Sequence, residues 1–196
     1  MMRVGITGGI GSGKTLVCRA LQALGAAVFF ADSEAKKLYH DDDKLRHQLI
    51  KAFGSAIYSS NGELQSRQLA QIVFGDAEAL ATLNALVHPA VAQRFERWVA
   101  QQAAVPYVVQ EAALLFESNA HLRLHKTVAV CAPSELRMAR VVRRDGCTEA
   151  NVRQRMAHQL TDEQRLELAD YRIVNDGLQA LLPQVIALHE QLKIKN

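Results

Sequence analysis

Cysteine is scarce in this chain of 196 residues: Cys18, Cys131 and Cys147 stand far apart, with no C-x-x-C pair among them. That excludes a disulfide framework and fits a reducing, cytoplasmic compartment. Long apolar runs are missing as well, so no segment is expected to span a membrane. The opening stretch, Met1 to Thr7, leads straight into a strand and then glycines, which is not the pattern of a secretion signal. Charge of one sign is only slightly in excess: 23 Lys and Arg against 20 Asp and Glu, a net +3. That suits an anionic ligand but is too weak to argue for nucleic acid. Repeats, low-complexity segments and linkers are absent too. With 49% hydrophobic residues, the chain is expected to fold as a single domain over 1–196 with its own core.

What is there alternates. Short apolar runs predict strands at 3–7, 26–30, 106–111, 126–132 and 171–175. Helical patterns separate them. Val17, Leu21 and Leu24 share one helix face, with Gly25 as its stop, and Leu181, Val185, Leu188 and Leu192 line the last helix. Strands alternating with helices imply an α/β fold: a five-stranded parallel sheet flanked by helices. The spacing is uneven. About 75 residues between the second and third strands carry little strand character, and helices are expected there at 34–40, 44–53, 66–74 and 77–103. This reads as a helical insertion. The segment 136–160 also reads as helical, and it holds Arg137, Arg140, Arg143, Arg144, Arg153 and Arg155 against Asp145 and Glu149.

Between the first strand and the first helix lies Gly8-Gly9-Ile10-Gly11-Ser12-Gly13-Lys14-Thr15, which matches G-x-x-x-x-G-K-[ST]. Backbone N–H groups must converge on a phosphate there, and side chains would block the approach. The helix that follows adds its N-terminal amides and dipole. Gly9, Ile10, Gly11, Ser12, Gly13, Lys14, Thr15 and Leu16 are therefore the expected nucleotide-binding stretch. Lys14 would reach the β- and γ-phosphates, and the Thr15 hydroxyl would hold Mg²⁺.

None of the eleven glycines has Asp three positions before it, and no Asn-Lys pair occurs. A guanine-nucleotide switch is thereby disfavoured, and motor or DNA-handling ATPases usually need more chain. A small-molecule kinase fits best, with the insertion binding its acceptor and the Arg-rich stretch closing over ATP. Asp32 follows the second strand, where ligands of parallel sheets gather. It is either a base for a substrate hydroxyl or the cap of a helix starting at Ser33. Arg137, Arg140 and Arg144 share a helix face that is either phosphate-binding or simply solvated. Glu111, at the end of the third strand, either reaches Mg²⁺ through water or is structural. Asp41-Asp42-Asp43 reads as a helix start or a solvated turn, His121 and His125 as surface residues, and Cys18 as core.

These features together resemble one family nearly end to end, that of dephospho-CoA kinases. The resemblance rests on "GITGGIGSGKT" (5–15), Ala31-Asp32, "NGELQSRQL" (61–69), "LNALVHP" (83–89), "LLFE" (114–117), "RVVRRDG" (140–146) and "HQLTDEQRLELADYRIVNDG" (158–177). It implies transfer of the ATP γ-phosphoryl to the ribose 3′-hydroxyl of dephospho-CoA, with ATP and Mg²⁺ as cofactors, by a cytoplasmic monomer. It implies a P-loop kinase core at about 1–32, 105–135 and 168–196, a helical CoA-binding insertion at about 33–104 and a lid at about 136–167. Asp32 and Lys14 become the catalytic residues, Arg140 and Arg144 lie near the nucleotide, and Thr7, Arg67 and His88 lie on the acceptor side. Three positions depart from the family pattern. Thr15-Leu16 stands where Ser-Thr is frequent, Phe30 replaces the first Asp of Asp-Ala-Asp, and Ala113 replaces a proline. A kinase of another hydroxyl acceptor, a nucleoside monophosphate or a sugar acid, is the rival within enzymes. A nucleotide-binding module with little turnover is the rival outside them.

Overall fold

The computed structural model describes residues 1–194. Its strands are β1 (Met2–Thr7), β2 (Ala27–Phe30), β3 (Tyr107–Glu111), β4 (Lys126–Cys131) and β5 (Tyr171–Val174), each within one residue of the expected bounds. All pair in parallel, in the order β2-β3-β1-β4-β5. Burial explains the composition of these strands. Every residue of β3 is buried, so the strand reads as a continuous run rather than an alternation.

One face of the sheet is covered by α1 (Lys14–Ala23) and α9 (Leu181–Ile194). Val17 and Leu21 from α1, and Val185, Leu188 and Leu192 from α9, pack on Val4, Ile6, Val109, Val128, Val130 and Ile173. Each aliphatic side chain so buried contributes about 1.5–3 kcal/mol. The first helix stops where its local chemistry stops it. Gly25 takes φ 98°, its N–H bonds the Gln22 carbonyl, and the Ala26 N–H bonds the Leu21 carbonyl. These two bonds satisfy carbonyls that the helix end would leave open.

Two compact units divide the chain: Met1–Phe30 with the chain from Val99 onward, and Ala31–Trp98. The first unit also holds α6 (Ser134–Asp145), α7 (Glu149–Ala157) and α8 (Asp162–Leu168). The single helical stretch expected over 136–160 is thus two helices. Gly146 at φ 64° ends α6, and Thr148 caps α7 by accepting from Asn151 N–H. Both are local signals. The second unit holds α2 (Ala31–Asp41), α3 (Asp43–Phe53) and α4 (Ser66–Phe74), and its residues after Asp76 form most of α5 (Ala77–Ala100). Leu38, Leu45, Leu49, Ile57, Leu69, Val73 and Val87 make its core. The acidic run does start a helix: Asp42 Oδ1 accepts from Leu45 N–H at 2.9 Å. Arg94 Nε donates to Glu34 Oε2 at 2.6 Å and ties α5 to α2.

A buried polar pair lies under α9, where Tyr107 Oη sits 2.8 Å from His189 Nδ1. Burial holds the His189 pKa below its ordinary 6.5, Lys193 lowers it further, and Glu190 partly opposes this. A histidine so depressed binds its proton more readily in the unfolded chain. Its stabilising contribution is complete above pH 6.5 and shrinks as the pH falls below that value. Chemical denaturation at a series of pH values is expected to show a loss of stability below pH 6.5 that His189→Gln reduces.

Candidate active site

The parallel sheet brings the carboxyl ends of its strands to one edge, and the Gly8–Thr15 loop leaves β1 there and opens α1. Bare backbone is required at several points. Gly11 and Gly13 take φ 80° and 95°, in the left-handed region. Close approach forbids side chains besides. A Cβ on Gly11 would collide with the Arg137 carbonyl, one on Gly13 with Asn175 Nδ2, and one on Gly9 with Arg137 Nη1. The loop is therefore gripped from outside by α6 and by the segment after β5. Asn175 Nδ2 donates to the Ser12 carbonyl at 2.8 Å. Arg140 Nη1 donates to the Asn175 carbonyl at 3.0 Å and the Gly11 carbonyl at 3.4 Å.

Inside the loop, the buried Lys14 Nζ donates to the Gly8 carbonyl at 2.9 Å. Ser12 is fully buried, while Thr15 and Leu16, on the first turn of α1, are exposed. The Ile10 N–H donates to Gln159 Oε1 at 2.9 Å. The Ile10 side chain packs with Met138, Val141 and Val152 of α6 and α7. Cys18 lies beneath in the core, as expected; burial pushes its thiol well up, Glu111 adds to this, and Lys14 opposes it. Burial likewise pushes Cys131 up to about 11. Neither thiol is a nucleophile at neutral pH.

The expected residues separate into groups. Gly9 to Leu16 and Arg140 come together. Arg144 does not join them through any contact seen: it is exposed and its guanidinium forms a fork on Asp145, with Nε 2.6 Å and Nη2 3.0 Å from the carboxylate. Arg155 also donates to Asp145, so this acid joins α6 to α7 across Gly146. Thr7 is fully buried at the end of β1, and its hydroxyl donates to the Ala113 carbonyl at 3.5 Å. Phe30 closes β2 in register with Glu111 and packs on the sheet core. Asp32 is in the first turn of α2, which begins at Ala31. A helix starting at Ser33 with Asp32 as its cap is therefore not what forms, because the chain turns helical at once after β2. Arg67 is exposed near the start of α4, and His88 is half-buried on α5; with Asp32, these two belong to the helical unit. Of the two histidines expected at the surface, His125 is exposed and its Nδ1 accepts from Arg3 N–H, whereas His121 is half-buried, edge-on to Phe116.

Two further residues stand at the loop: Arg137, one of the face read as phosphate-binding or solvated, and Arg165, which the sequence reading did not single out. Arg137 is 8% exposed and Arg165 is 0% exposed. Arg165 Nη1 lies 3.0 Å from Asp162 Oδ1, and Arg165 Nη2 lies 3.8 Å from Glu117 Oε1. Burial lowers the Arg165 pKa and Arg137 adds to that, while Glu117 and Asp162 raise it. The Leu-Leu-Phe-Glu run acquires a purpose here, since Glu117 also accepts from Leu160 N–H at 2.9 Å. Arg137 was visible as one member of a charged face. Arg165 carried only the signal of the Thr161–Gln164 capping box, which starts α8 and turns the arginine one turn into it.

Known proteins resemble this chain over most of its length. The family model of dephospho-CoA kinase matches residues 2–180. A dephospho-CoA kinase of Salinibacter ruber is 44% identical over 90% of each chain. One from Chlorobium chlorochromatii is 43% identical over 96% of this chain and 92% of its own. A solved structure from Thermus thermophilus superposes with a TM-score of 0.85 at 33% identity, covering 97% of this chain and 96% of that one. No helix among the described residues is long and apolar enough to cross a membrane. With the P-loop held between β1 and α1 and the family's sequence running through nine-tenths of its length, this chain belongs to the dephospho-CoA kinase family.

Proposed function

We propose that this protein transfers the γ-phosphoryl group of ATP to the ribose 3′-hydroxyl of dephospho-CoA, giving coenzyme A and ADP, the last step of coenzyme A synthesis. The observation that carries the reading is the Gly8–Thr15 loop, whose glycines leave bare backbone beside a buried lysine. Bare backbone at such a turn, with a helix N-terminus behind it, favours a phosphate chain. Lys14 leaves the Gly8 carbonyl for the β- and γ-oxygens. Arg140 keeps the loop in shape and contacts the nucleotide, and Arg144 turns from Asp145 toward it.

The chemistry is mostly positioning and charge stabilisation. Asp32 orients the acceptor hydroxyl and accepts its proton as the new bond to phosphorus forms. Thr7, Arg67 and His88 line the acceptor side. Thr15 offers its exposed hydroxyl to Mg²⁺. An ion there would be carried mainly by phosphate oxygens and water. Bound there, Mg²⁺ supplies neutralisation of phosphate charge. The helical unit takes the CoA portion, and the segment 136–167 acts as a lid that excludes water. We further propose a cytoplasmic monomer that needs neither nucleic acid nor a membrane.

The test is ADP release from Mg²⁺-ATP with and without dephospho-CoA, beside AMP and gluconate as control acceptors. Release that depends on dephospho-CoA, with coenzyme A as product by mass, is expected. Release with AMP or gluconate instead would reassign the acceptor, and ATP binding without acceptor-dependent release would favour a binding module.

A further inference from the structure

Arg137 and Arg165 have no part in the roles assigned above, and they are costly residues to bury. Arg137 Nε, Arg165 Nε and Arg165 Nη2 are buried with no hydrogen-bond partner among the described residues. Two carboxylates accompany the pair. Asp162 Oδ1 stands 3.0 Å from Arg165 Nη1 and 3.8 Å from Arg137 Nη1, and Glu117 Oε1 stands 3.8 Å from Arg165 Nη2. Of these three approaches, only the first is of hydrogen-bond length. A charge network satisfied this incompletely is poor material for stability alone, since apolar residues would fill the same space better.

Placement points to a ligand. Both guanidinium groups face Gly9: a Cβ there would collide with Arg137 Nη1 and lie 3.5 Å from Arg165 Nη1. The lysine lies at the same end of the loop, with its Nζ at the Gly8 carbonyl. The next amide along, Ile10 N–H, is directed at Gln159 Oε1, so this end of the loop already presents a donor to an oxygen acceptor. A cleft of about 550 Å³ opens beside Arg137, lined also by Pro133, Ser134, Gln159, Asp162 and Asp176 among others; its lining includes neither Arg165 nor a residue of the Gly8–Thr15 loop. In a P-loop, the lysine end meets the β- and γ-phosphates. Planar forks of donors suit such oxygens better than any other side chain.

We propose that Arg137 and Arg165 form a second phosphate-binding pair, on the Gly9 side of the loop, that grips the terminal phosphate of ATP and sets the preference for ATP over ADP. Asp162 and Glu117 hold the two forks in orientation, and phosphate oxygens take the donors that the carboxylates leave unused. This rests on the reading that the loop binds ATP.

The experiment measures the affinities of Mg²⁺-ATP and Mg²⁺-ADP by calorimetry, with thermal midpoints, for the unaltered protein, Arg137→Gln, Arg165→Met and Arg165→Lys. A charged hydrogen bond lost only with ATP weakens ATP about 10- to 100-fold. Arg137→Gln and Arg165→Met are each expected to show that loss, with ADP affinity held within about twofold. Arg165→Lys keeps the charge but not the fork and should fall between. Equal weakening of ATP and ADP, or no change in either, overturns the pair. If Arg165→Met does not fold, Arg137→Gln and Arg165→Lys decide by the same ratio, and a ratio unchanged in both overturns it. The comparison needs no acceptor. Loss of the ratio in the variants, with no dephospho-CoA-dependent turnover by the unaltered protein, would therefore support the pair while removing the proposed acceptor.

Discussion

Lys14→Ala is expected to lower turnover by at least about 10³-fold, the scale of losing a preorganised charge from a phosphoryl-transfer site. The lysine is buried inside the loop, where its ammonium donates to the Gly8 carbonyl until phosphate oxygens take that place. Amides alone offer partial charges, and they do not offset the full charge that gathers on the γ-phosphoryl group. Alanine also removes a buried hydrogen bond, worth about 1.5–3 kcal/mol for a charged donor. That lowers the melting temperature without emptying the folded state of a protein of ordinary stability. Steady-state turnover beside a melting curve separates the two effects. Near-normal turnover in a folded variant would refute the role given to the loop.

Asp32→Asn should leave ATP affinity intact and reduce turnover by ~10²–10⁴-fold, the range for a positioned base. Magnitude separates this from a structural role. As an acid in the first turn of α2, Asp32 favours the helix dipole by about 0.3–1 kcal/mol. Loss of a base in that range raises the barrier by roughly 3–5 kcal/mol. Asparagine keeps the shape and can still orient a hydroxyl, but it cannot take a proton. ATP affinity measured alongside kcat makes the decision. A variant that loses nucleotide binding or melts early, with kcat per folded molecule unchanged, would make Asp32 structural.

Much of the architecture could be read from order along the chain. The strands showed because each is a short apolar run flanked by helix-period segments, and burial on both faces demands that composition. The P-loop showed because the need for bare backbone fixes residue type at fixed spacing, independent of everything distant. Glycine positions with φ above zero, such as Gly13 and Gly25, carry the same kind of local necessity. The break between α6 and α7 was equally local, written in Gly146 and Thr148, yet the density of arginines around it masks the cap in a charge-based reading.

The arginines mark the other side of the division. In sequence, Arg137, Arg140 and Arg144 are similar charges in a basic segment, and Arg165 is a lone arginine among acids just after it. In the folded chain, Arg144 is exposed on Asp145 and Arg140 donates to the Gly11 and Asn175 carbonyls, while Arg137 and Arg165 are buried against Gly9. Helical spacing tells which residues share a face but not what that face meets. Arg165 finds Gly9 only because α8 packs beside β4 and brings together residues that lie 156 positions apart. The chain's order alone determined an α/β sheet with a phosphate loop after its first strand. Which charges reach that loop was decided by tertiary packing, because a guanidinium's function depends on the burial and the partners that only distant segments supply.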